Sequence, residues 1–278
     1  DGNTLALWLR ADTGVFSTEN GTSIETDGGK VGYWLDLSGK QIAAIQNDTN
    51  DLPSLRLNKV AGQAGIEFMP DSTGGQYLIA GGVLAGVDFT AVTIAQSNTT
   101  QYNDHNWISS ARMNSGFNLH VTKNSKYWYP VVVDGTNSNL SRDRIYLDDL
   151  TIPHIFGVTF DQTEVRHQYV AIADKEDLEQ RPPTYFIPRK ETDTIEIKYG
   201  WDFRQRYGNG LVAEAIVLNR RIYNSHSNIL RNYFNARYGI DIGDKDFYAH
   251  DFTHAEEVAG IGRESFYDLH AEAKGMGM

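Results

Sequence analysis

Three carboxylates, Glu191, Asp193 and Glu196, come nearest to an acid and nucleophile pair for cleaving a glycosidic bond. That chemistry needs two carboxyl groups on one face, about 5–5.5 Å apart. On an extended strand Glu191 and Asp193 share a face and Glu196 falls on the other, so the spacing reads as a solvated strand margin. A lyase needs a His or Tyr base beside a cationic group. His105, His120, His154, His167, Arg112 and Tyr127 supply the types without a diagnostic spacing. No Gly-x-Ser-x-Gly, His-Glu-x-x-His or phosphate-cradling glycine loop occurs, so nucleophilic hydrolysis, zinc proteolysis and nucleotide chemistry have no motif to rest on. The chain is therefore read as noncatalytic.

Binding chemistry has better candidates. His105, Asn106 and Trp107, then Tyr127, Trp128 and Tyr129, put aromatic faces beside amide and imidazole groups, a mixture that stacks on sugar rings and reads hydroxyls. Trp201, beside Asp202 and ahead of Arg204 and Arg206, joins them. Strand alternation puts Tyr127 and Tyr129 on one face and Trp128 on the other, so at least one of the three belongs to the core. Trp8 and Trp34, within apolar runs, are assigned to the core. Calcium is the one cofactor considered, because hard oxygen ligands cluster on loops. Asp36, Asp71, Asp88, Asp148 and Asp149 are loop-adjacent but lack EF-hand spacing, and no metal ligand is assigned.

The elements that must position these residues are strands. The 278 residues include 26 Gly and 15 Tyr, with 40% hydrophobic and 22% charged residues, a composition of many turns and half-buried strands. Strand patterns fall at 5–10, 31–35, 65–68, 77–79, 89–95, 106–110, 116–121, 127–133, 154–160, 168–173, 194–199 and 211–218, many at the 8–12-residue spacing of a sandwich. In the stretch from His154 to Phe160, Phe156, Val158 and Phe160 share a face. Asp36-Leu-Ser-Gly39 reads as a turn, and the proline-containing Lys175–Lys190 segment as a surface loop. From about Ser225 to Tyr238, Ile229, Leu230, Tyr233 and Phe234 recur at helical spacing, and Gly239 supplies the C-cap.

A net charge of −11 leaves no basic excess to neutralise phosphates, which excludes nucleic acid and anionic membranes as expected partners. Without cysteine there are no disulfides, thiolate metal sites or Cys nucleophile, and no apolar run is long enough to span a bilayer. The start at Asp1 and the segment Glu272–Met278 read as ends of a piece of a longer chain, whose neighbouring domains would be partners.

Leu5-Ala-Leu-Trp-Leu-Arg-Ala-Asp12, Val31-Gly-Tyr-Trp-Leu-Asp-Leu-Ser-Gly39, Pro53, Gly65-Ile-Glu-Phe68 and Tyr77-Leu78 resemble the opening hairpins of LamG-like domains of the concanavalin A-like lectin and glucanase superfamily, common in large secreted bacterial proteins. His154–Asp161, Val212–Arg220, Asn235-Ala-Arg-Tyr-Gly-Ile240 and Val258–Arg263 continue the likeness to about Arg263. A Tyr-x-Asp-Gly hairpin common in that family is missing at Tyr169-Val-Ala-Ile-Ala173. The resemblance implies an all-β chain: a two-sheet antiparallel concanavalin A-like jelly-roll sandwich over residues 1–240, with one C-terminal amphipathic helix, and an extension over 241–278 that begins a following module. It also implies an adhesion or glycan-binding module at the cell surface or outside the cell, with a glycan or surface protein as partner and calcium as an occasional cofactor. A structural spacer or filament subunit is the alternative, and a polysaccharide hydrolase or lyase the second. Fold does not choose among them.

Overall fold

A computed structural model describes residues 4–69, 75–81, 88–98, 105–109, 116–121, 127–133, 145–160, 169–180, 195–198 and 210–248. Within them two antiparallel sheets stack face to face. The first is built on three long neighbouring strands, β8 (Phe89–Ser97), β13 (His154–Phe160) and β17 (Gly210–Leu218). Beyond β13 lie β14 (Tyr169–Ile172) and β15 (Asp177–Gln180). On the far side of β17, β6 (Gln63–Phe68) pairs with residues 210–212 and β1 (Leu5–Arg10) with residues 214–218. β5 (Ser54–Val60) completes the edge through a two-residue turn, Ala61-Gly62, with φ of 49° and 82°. Paired positive φ values match the right-handed twist of a tight hairpin.

The second sheet runs in the order β12 (Ile145–Tyr146), β11 (Tyr127–Val133), β10 (Gly116–Val121), β9 (His105–Ser109), β16 (Ile195–Lys198), β7 (Tyr77–Ala80), β4 (Ala43–Ile45), β3 (Tyr33–Leu35) and β2 (Val15–Phe16). Side chains from both sheets meet in one core. Phe89 stacks on Phe117 and Phe160 with ring centroids 4.9 and 5.8 Å apart, and Phe156 lies between Trp107 at 5.3 Å and Trp128 at 5.1 Å. Phe156, Val158 and Phe160 do share the face expected of them.

The outer face of the first sheet is covered as well. Val92, Ile94, Ile155, Ile172, Leu211 and Ile216 pack under the helix α1 (Asn224–Tyr238) and the segment after it. Burial on both faces explains why β8, β13 and β17 read as nearly continuous apolar runs rather than as alternation. Gly157 sits where this layer is tightest: a Cβ there would stand 3.0 Å from both Ile172 Cβ and Val92 Cγ2, and 3.3 Å from the Ala91 carbonyl. Gly157→Ala is expected to cost about 1–3 kcal/mol by overpacking, read as a lower urea midpoint at unchanged slope.

The helix ends at Gly239 in the left-handed conformation (φ 61°), as its sequence predicts. Its buried face differs from the expected apolar stripe. Ile229, Leu230 and Tyr233 are only half-buried, while Ser227, Arg231, Asn232 and Arg237 are buried beside Phe234 and Tyr238. Asn232 is fully satisfied: its amide donates to the carbonyls of Asn228 and Lys245, and its oxygen accepts from Phe247 N and Tyr248 N. These bonds and the burial of Ile240, Ile242 and Tyr248 carry the packed body past residue 240.

Two other expectations change. Residues 177–180, placed in a surface loop, form the edge strand β15 paired with β14, and the chain turns between them through Asp174-Lys175 without an Asp-Gly pair. An edge strand needs only one partner and tolerates charge, so apolar alternation does not mark it. Trp34 is in the inter-sheet core, but Trp8 is half-buried on the opposite face, under the helix.

Candidate functional site

Among the described residues, the sequence candidates Trp107, Tyr127 and Trp128 do not come together as an exposed surface. Trp107 and Trp128 are fully buried between the sheets, which corrects their expected role in stacking on a ligand: each occupies an inward position of its strand and its ring is spent on Phe156. Tyr127 is half-buried and meets Tyr146 edge-on, with centroids 5.4 Å apart. His105, Asn106 and Tyr129 lie in β9 and β11 with their side chains outside the described residues, as are Trp201, Glu191 and Asp193 entirely.

An open cleft of about 600 Å³ lies instead where three stretches of chain converge at one end of the first sheet. One wall is β12 and the turn leading into β13, including Tyr146, Asp148, Asp149 and Ile152. The opposite wall is the β14–β15 turn with Asp174, Lys175 and Glu176, and the helix end with Asp241 closes the back. Tyr146 is 53% and Ile152 52% exposed, so the cleft offers an aromatic face and an aliphatic knob to solvent.

Local chemistry fixes each wall. The Asp149 carboxylate accepts from Thr151 N at 2.8 Å and Thr151 Oγ1 at 2.6 Å, an Asx turn held down by the buried Leu150, whose carbonyl accepts from Ser97 N. On the other side Asp174 Oδ1 accepts from Ile155 N at 2.6 Å. Arg231 on the helix donates to the Ala173 carbonyl at 2.8 Å and pairs with Asp177, and exposed Lys175 pairs with Asp241. Behind both walls stands His154, with Nδ1 2.6 Å from Asp174 Oδ2 and Nε2 2.6 Å from the Asp149 carbonyl. With both nitrogens engaged, this ring is not a free general base.

A second polar cluster lies between helix and sheet. A bulge in β17 after Val212 places Glu214 on the helix side, fully buried, where it accepts from Trp8 Nε1 at 2.6 Å, Tyr238 Oη at 2.8 Å and Tyr233 Oη at 3.0 Å. Arg237 Nε stands 3.9 Å away and its other end binds Asp12. Burial pushes the Glu214 carboxyl above the ordinary range against the pull of these donors, and pushes both tyrosine hydroxyls up beside it. With Glu214 itself fully buried, this cluster ties the helix to the sheet.

For a metal, Asp36 is already used: it accepts from Trp8 N, Ser38 N and the Ser38 hydroxyl within the predicted turn. Asp71 lies outside the described residues, and among the described residues no group of three or more acidic or histidine side chains stands where it could hold an ion. What the cleft can do chemically is present carboxylate acceptors, one ammonium and an aromatic face to a polyhydroxylated ligand. Three of its signals were in the sequence, since Asp148, Asp149 and His154 were each singled out for other chemistry. Tyr146, Asp174 and Asp241 carried none.

No family model and no curated protein matches the chain. Solved structures do resemble it in fold. The botulinum neurotoxin serotype D binding domain superposes at a TM-score of 0.54 with 11% identity, over 85% of this chain and 51% of that one. A botulinum neurotoxin type C structure, from work describing cell entry of that toxin as dependent on interaction with two ganglioside molecules, gives 0.54 and 11% over 84% and 51%. Trypanosoma rangeli sialidase in complex with sialic acid gives 0.52 and 14% over 86% and 34%. The chain spans about half the length of the toxin structures, and at these identities the likeness is one of fold: an all-β sandwich shared with proteins that differ in activity.

Proposed function

We propose that the chain is a noncatalytic glycan-binding module of the concanavalin A-like, LamG-like kind, with a jelly-roll strand path, displayed on or outside a bacterial cell as part of an adhesin. The observation that carries this reading is the open cleft with exposed Tyr146 beside a rim of carboxylates. Aromatic faces take the apolar face of a sugar ring while carboxylates accept from its hydroxyls. Two structural neighbours bear names that concern gangliosides and sialic acid, which supports a glycan as the ligand class. In this chain Asp148, Asp149, Asp174, Glu176 and Asp241 outnumber Lys175 and His154, so a neutral glycan is favoured and a sialylated one is repelled.

The test is a thermal melt with a panel of cellohexaose, maltohexaose, mannohexaose and sialyllactose, each with and without calcium. A ligand that binds only the folded state raises the apparent melting temperature by mass action. A neutral oligosaccharide is expected to shift the melt, and Tyr146→Ala to weaken that binding by about tenfold or more with the fold intact. A calcium-dependent shift would add a metal to the reading. Silence across the panel would move the assignment to a spacer or protein-binding segment, and release of reducing ends or unsaturated products to an enzyme.

A further inference from the structure

His154 opens β13 with its side chain 8% exposed and its ring edge-on to Phe156. Its partners belong to opposite walls of the cleft: the Asp149 carbonyl to the turn before β13, the Asp174 carboxylate to the β14–β15 turn. Both partners are oxygen acceptors at 2.6 Å, so the ring satisfies both only with a proton on each nitrogen. A neutral imidazole carries one N–H and would turn a lone pair on one of the two oxygens. Loss of the proton therefore frees one wall or the other.

We propose that His154 is a positioning residue for the cleft: as the imidazolium it clamps the Asp149 turn to the Asp174 hairpin, and ligand affinity in the cleft falls as pH rises through its titration. The affinity half rests on the glycan-binding reading; the clamp does not. The charged groups that line the cleft with the ring are the carboxylates of Asp174 and Asp149, which act on it directly, those of Asp148, Glu176 and Asp241, and the ammonium of Lys175, the last paired with Asp241. Their balance is negative and favours the cation. Burial alone would lower the ring's pKa from 6.5, but the hydrogen bond and charge of Asp174, with the carbonyl and charge of Asp149, outweigh it and raise the pKa. A raised folded value means that the clamp is complete below the ordinary imidazole pKa and is lost as pH climbs through the folded one.

The experiment follows the imidazole nitrogens of the full chain by NMR from about pH 5 to about pH 9, together with the amides of Thr151 and Ile155, which donate to Asp149 and Asp174. Both ring nitrogens are expected to be protonated at neutral pH, with a midpoint above the ordinary histidine value, and both amides to follow that midpoint. A singly protonated ring at neutral pH, or amides that ignore it, overturns the clamp. In His154→Gln the shared titration should vanish; should that variant not fold, the native titration decides alone. In parallel, the affinities of cellohexaose, maltohexaose and mannohexaose are measured on both sides of the midpoint, where a drop of about tenfold is expected for whichever binds. An unchanged affinity while the amides titrate overturns the affinity half. No binding at either pH refutes the glycan reading and the affinity half with it, while the ring titration still decides the clamp.

Discussion

Glu214→Ala is expected to lower the free energy of unfolding by about 3–5 kcal/mol, the loss typical of removing one partner from a buried charged network. The carboxylate is fully buried and accepts from Trp8, Tyr233 and Tyr238, with Arg237 beside it. Alanine removes the shared acceptor of three donors beneath the helix, and leaves Arg237 with Asp12 as its remaining carboxylate partner. Glu214→Gln keeps the volume and one acceptor oxygen, but places an amide N–H₂ opposite other donors, so an intermediate loss of about 1–3 kcal/mol is expected. Guanidinium melts of the two variants check the order Ala below Gln below native. A Glu214→Ala protein within about 1 kcal/mol of native would show that apolar packing alone seats the helix.

Most strands of six residues or more could be read from sequence. β10, β11 and β13 appear at the residues expected of them, and β8 and β17 within one or two. Each carries apolar residues dense enough to mark a run whether one face is buried or both. β2, β4, β5, β12 and β15 were not visible. Four of them are two to four residues long, and β5 spends Arg56, Asn58 and Lys59 toward solvent at an edge. Its hairpin was hidden too, because Ala61 takes the positive φ that Asn or Asp normally signals.

The helix was legible as a helix and misread as a surface. Its apolar period predicted a greasy stripe, yet the residues seated deepest include Arg231, Asn232 and Arg237, each satisfied by groups 13 or more positions away in sequence. A buried polar side chain is indistinguishable in sequence from an exposed one until its partner is known. The cleft was obscured for the same reason. Asp149, Asp174 and Asp241 belong to three separate turns, and only the sheet order brings β12, the β14–β15 turn and the helix end to one place. The aromatic cluster stood out because it is contiguous, and contiguity in a strand divides residues between two faces.

That division sets the second large expectation. Trp128→Ala and Trp107→Ala should each cost about 3–5 kcal/mol, because deleting a fully buried indole removes its transfer energy and leaves a cavity against Phe156. Tyr146→Ala, at a side chain 53% exposed, should stay within about 0.5 kcal/mol of native. Binding should show the opposite order when measured well below the melting temperature of every variant. The surviving folded fraction of Trp128→Ala keeps the backbone pairing of β11 with β12 and the bonds of Asp149, Asp174 and His154 that hold the cleft walls, and so keeps its affinity, while Tyr146→Ala loses it. A stability loss scales the number of active molecules in a titration; loss of a contact changes the dissociation constant. If Trp128→Ala folds with native stability and loses affinity, the buried placement is wrong and the aromatic run in β11 is the binding surface its residue types suggest.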